Sequence, residues 1–184
     1  MNNPWQEKIE QNKLIGKLSK KQKVRFASAC IRNVFDLMQG YLRENVDTQI
    51  ILHLQAILSS LDKPRQVHTH LSAWRQLLLE ITQDERLDEV SGWGHMISAV
   101  IGLFDLIGGT SDTNVLSVAE DCLYAVSDFD DKQYPLRLPD AMTPEEVMRN
   151  ALTSPDWRPT EAQFPLAAEH VEFQVRMLEK IVES

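Results

Sequence analysis

Apolar residues recur at three- and four-residue steps along almost the whole chain, and no alternating run of strand length interrupts them. That period restricts the chain to helices that bury one face each, so the expected fold is all-α. Ser19 and Gln22 stand at capping-box spacing. Behind them Val24, Ala27, Ile31, Val34, Phe35, Met38 and Leu42 mark one helix face from about Lys20 to Leu42. Asp47 can cap a second stripe of Ile50, Ile51, Leu54, Ile57, Leu58 and Leu61. Pro64 suits the first turn of the next helix, with Val67, Leu71, Trp74, Leu77, Leu78 and Ile81 inward.

A further helix is expected to start near Ser91 or Gly92 and to stop at Gly108-Gly109, since glycine tolerates the left-handed cap conformation. Ser111 or Asp112 can cap the following one, which carries Val115, Leu116, Ala119, Cys122, Leu123 and Val126. Periodicity then lapses. Asp130 to Thr160 reads as a proline-containing loop with a short helix opened by Thr143-Pro144-Glu145-Glu146. Pro165 can open the last helix, and a weak stripe of Trp5, Ile9 and Leu14 hints at a short first one. The expectation is a single domain over 1–184, an antiparallel bundle of about seven or eight helices joined mostly by short turns.

The 184 residues are 43% apolar and 25% charged, a globular composition with enough apolar surface for a core. Cys30 and Cys122, isolated and without CxxC spacing, read as small buried hydrophobes of a reducing compartment, with a disulfide between them left open because spacing in sequence does not fix distance in space. Met1 to Glu10 has no apolar signal core, and the longest apolar run, Met96 to Leu106, falls short of the roughly 20 residues that span a bilayer. These features point to the cytoplasm and away from the membrane.

Charge is unevenly spread. Up to Gly92 there are 13 Lys and Arg against 11 Asp and Glu; beyond it, 6 against 16. The halves therefore carry +2 and −10, and the net −8 argues against a nucleic-acid partner. Two acidic clusters stand out. Glu80, Asp84, Glu85, Asp88 and Glu89 surround Arg86, and Glu120, Asp121, Asp128, Asp130 and Asp131 are read as ending one helix and entering the proline loop. Such clusters either keep a solvated face soluble or steer a basic protein partner. Trp93 and Trp157 are the aromatic candidates for anchoring that partner, although Trp93 at a helix start also suits the core.

No chemical motif competes with this reading. GxSxG, GxxxxGK[ST], HExxH and GxGxxG are all absent. His68 and His70 would point about 200° apart on a helix, which does not suit one metal ion. Asp128 to Asp131 lacks the glycine and the next ligand of a calcium loop. His53 and His170 lie near apolar stripes and read as packed, hydrogen-bonded residues. No catalytic residue, cofactor or metal is assigned.

Leu18 to Phe35, LSKKQKVRFASACIRNVF, resembles the opening helix of the YjaG-like bacterial proteins, a helical family of unassigned function. Phe164 to Ile181, FPLAAEHVEFQVRMLEKI, resembles its closing helix, and Met96 to Phe129 its central hairpin. These segments cover about half of the chain; Asp130 to Thr160 departs from the family pattern. The resemblance implies an all-helical fold and names no site residue. At the level of class the chain is also similar to small acidic immunity proteins of bacterial toxin systems. The expected function is therefore a non-catalytic, immunity-type inhibitor that occludes a basic toxin domain. The alternatives are a small helical enzyme or ligand-binding bundle, with His53, His95 or His170 in one inter-helix cavity, and a homo-oligomeric structural module.

Overall fold

The computed structural model describes residues 12–61, 64–109, 114–133 and 165–183. Among them lie six long helices: α1 (Lys20–Asn45), α2 (Thr48–Ser60), α3 (Pro64–Ile81), α4 (Trp93–Gly108), α5 (Asn114–Gln133) and α6 (Pro165–Val182). A single 3-10 turn, Glu85–Leu87, precedes α4. No strand occurs among the described residues, and the architecture is the all-α antiparallel bundle that the periodicity predicts.

Helix α1 begins as its capping box requires. The Ser19 side chain accepts from the Gln22 amide, and the Gln22 side-chain oxygen accepts from the Ser19 amide at 3.0 Å. Asp47 caps α2 by accepting from the Gln49 amide at 2.7 Å. Helix α4 stops at Gly109, whose φ of 80° lets its amide donate back to Asp105 and Leu106.

Helices α1, α4, α5 and α6 enclose the centre, whereas α2 packs on α1 and α3, and α3 on α2 and α4. Phe26, Ile31, Met38, Leu42, Met96, Ile97, Leu103 and Phe104 are all sealed from solvent. The most extensive helix contact is that between α4 and α5. Gly102 allows it, since a Cβ there would meet Val118 Cγ2 at 2.9 Å.

One helix runs further than its apolar period predicts. Asp130 and Asp131 do not begin a loop, because α5 continues to Gln133. Phe129 extends the buried stripe and sets its ring 5.1 Å from that of Tyr41, which keeps this turn of helix against α1. The expected first helix lies largely, and the caps at Ser111 or Asp112 and the segment 134–164 lie wholly, outside the described residues.

Candidate acidic docking groove

Two distant stretches of sequence meet at the start of α4. After the 3-10 turn the chain folds back through Asp88, Glu89 and Val90 to Gly92, where α4 begins. Gly92 has φ 74°, and a Cβ there would run into the Ala125 carbonyl oxygen, so the turn rests directly on α5. The Tyr41 hydroxyl accepts from the Ser91 amide at 3.1 Å and ties the same turn to α1.

Asp121, Tyr124 and Asp128 follow one another at three- and four-residue steps and so share one face of α5. The turn and this face border an open groove of about 710 Å³, lined by Asp88, Glu89, Gly94, His95, Asp121 and Asp128 among others. The His95 ring spans the two α5 carboxylates. Its Nδ1 is 3.4 Å from Asp121 Oδ1, its Nε2 is 3.8 Å from Asp128 Oδ2, and its ring centroid is 5.3 Å from that of Tyr124.

Four of the expected partner-facing acids, Asp88, Glu89, Asp121 and Asp128, are thus brought into one groove. Glu85 is exposed nearby. Asp84 is engaged locally, with its Oδ2 2.6 Å from Arg86 Nη2, and that guanidinium holds its carboxyl below the usual carboxylate range. Glu120 is half-buried on α5 and does not line the groove. The side chain of Asp131, and Trp157 as a whole, lie outside the described residues.

Two expected partner residues are corrected. Trp93 is only 2% exposed and belongs to the core, because the left-handed Gly92 turns it inward as α4 begins. Asp130 is fully buried: its Oδ2 accepts from the Ala167 amide at 2.7 Å, at the start of α6. Burial pushes its carboxyl pKa up, while hydrogen bonds from the Ala167 and Leu166 amides pull it down.

The histidines do not converge. His53 is exposed on α2, against the expectation of a packed residue, since its position falls outside the stripe of Ile51, Leu54 and Leu58. His170 is fully buried, as expected, and bonds to Asn33 and Gln174. His95 alone of the three borders the groove. Among the described residues no group of three or more His, Cys, Asp or Glu could hold a metal ion. A second, smaller groove of about 430 Å³ between α1 and α2 is lined by Arg32, Phe35, Asp36, Gln39, Gln55, Leu58 and Ser59. Its guanidinium donates to the Leu58 carbonyl at 2.8 Å. Charge patterning does not point to Gly94 or Ser98; the signal for Ser98 is its spacing of four from Gly94 and three from His95, which sets it beside both on α4.

Comparison of the chain with family models, with curated proteins and with solved structures returns no match.

Proposed function

We propose that this is a non-catalytic binding protein whose acidic groove receives the Lys and Arg side chains of a basic protein partner. The most concrete form of this reading is an immunity-type inhibitor that covers a toxin's phosphate-engaging surface. The observation that carries it is the convergence of Asp88 and Glu89 with Asp121 and Asp128 around one groove in a chain of net charge −8. Four carboxylates held by the backbone of two segments attract a cationic partner from a distance, and each can take a charge-assisted hydrogen bond at contact. Association would be fast and salt-sensitive, and inhibition would need no chemistry from this chain.

Gly94 provides a clean test, because a Cβ there meets nothing within 4 Å. Gly94→Trp sets a bulky ring at the groove from an exposed position. The partner is captured from the native host at low salt, identified, and its affinity measured by titration calorimetry. Gly94→Trp and the pair Asp121→Lys with Asp128→Lys should each weaken binding by about tenfold or more. No basic protein retained at low salt, or equal affinity in these variants, would overturn the proposal.

A further inference from the structure

The groove leaves unused a buried polar chain that fastens α6 to the rest of the bundle. His170 has no exposed surface. Its Nδ1 is 2.6 Å from Asn33 Oδ1 on α1, and its Nε2 is 2.9 Å from the side-chain Nε2 of Gln174 on α6. Gln174 Nε2 also donates to the Ala119 carbonyl of α5 at 3.0 Å. The roles follow from the chemistry of the ends. The Ala119 carbonyl and the Asn33 side-chain oxygen can only accept. Gln174 therefore gives one hydrogen to Ala119 and the other to His170 Nε2, and the ring keeps its own proton on Nδ1 for Asn33. The chain of bonds admits one polarity and one tautomer.

A second proton on His170 breaks it. The new hydrogen on Nε2 faces the Gln174 amide hydrogens, and turning that amide over would set its oxygen against the Ala119 carbonyl. Neither arrangement satisfies the buried groups. Among the described residues no neighbouring charge relieves the ring. On α1, Arg32 and Asp36 line the groove toward α2; on α5, Asp121 lines the groove at His95 and Glu120 is half-buried; on α6, Glu169, Glu172 and Arg176 are exposed. The thiols of Cys30 and Cys122 are fully buried and kept protonated by that burial. Asp130 works in the opposite sense, because burial favours its protonated form in the docked state. Helices α1, α4 and α5 pack on one another without α6, so α6 can leave a core that still has its own contacts.

The geometry points to α6 as a pH-released element: docking of α6 and protonation of His170 exclude each other, so acid frees α6 while α1, α4 and α5 stay folded. This device is independent of the groove and of its partner.

Cys30 lies one turn before Asn33, and Cys122 one turn after Ala119, so both thiols lie on the helices to which the lock is fastened. Their reaction with 4,4′-dithiodipyridine, normalised to free cysteine, reports the opening in the full chain. Below about pH 6.5 the normalised rate should rise about tenfold per pH unit, while α4 amides remain protected from hydrogen exchange. His170→Gln should abolish that slope. The same acid slope in His170→Gln overturns the proposal. If that variant does not fold, exchange in the unmodified chain decides. Loss of protection in α6 alone, in step with titration of the His170 ring, supports release; simultaneous loss in α1, α4, α5 and α6 overturns it.

Discussion

Gly40 and Gly92 show how one residue type has opposite meanings in this chain. Gly40 is exposed in the interior of α1, and a Cβ there would meet nothing within 4 Å. Only the backbone entropy cost of glycine remains, so Gly40→Ala should stabilise the protein by about 0.5–1 kcal/mol. Urea unfolding would show a higher midpoint at unchanged slope. Gly92 has a positive φ, and a Cβ there would collide with Ala125 backbone and approach Met38 Cε to 3.0 Å. Gly92→Ala should cost about 2–4 kcal/mol, seen as a lower midpoint in the same experiment. The acidic turn would also shift relative to α5, so groove binding should weaken along with stability.

Among the elements, α1 has the most defined beginning. Its capping box satisfies amide hydrogens that a helix start otherwise leaves free, and Gln22 also donates from its Nε2 to the Ile181 carbonyl at 2.9 Å. One side chain thus joins the first turn of α1 to the last of α6. Ser19→Ala should cost about 1 kcal/mol, measured by chemical unfolding. Gln22→Ala should cost more than Ser19→Ala, because it also leaves a carbonyl at the end of α6 without that donor. Equal costs would show that the link to α6 contributes nothing. Helix α6 depends on such tertiary attachments at both ends, since Asp130 of α5 holds the Ala167 amide at its start.

The stability of the whole molecule should depend on pH chiefly through His170. Burial lowers its pKa from the ordinary 6.5 to about 3. The unfolded chain therefore binds this proton between those values and the folded chain does not. Stability from His170 is fully present above about pH 6.5 and is lost progressively as the pH falls toward 3, by on the order of 5 kcal/mol in all. Unfolding free energies measured from pH 7 downward should fall along this curve, and much less steeply in His170→Gln. Asp130, with its pKa raised by burial, shifts the balance the other way and softens the acid limb.

Helix positions and caps were legible in the sequence because they depend on neighbours three and four residues away. The capping box at Ser19, the cap at Asp47 and the stop at Gly109 all operate within one turn of backbone. The burial of Cys30, Cys122 and His170 was legible for a similar reason, since each lies on an apolar stripe. Other properties depend on what another helix brings close. The sequence shows two acidic clusters about thirty residues apart; only the packing of the 88–92 turn on α5 joins Asp88 and Glu89 to Asp121 and Asp128. Asp130 reads in the sequence as one more acid of the second cluster, yet it is buried because the start of α6 offers it the Ala167 amide. Likewise the tautomer of His170 is set by an asparagine 137 residues away and by a carbonyl of α5 reached through Gln174. Local backbone hydrogen bonding chose the elements, while charge convergence and polar locking required through-space partners that only the tertiary structure supplies.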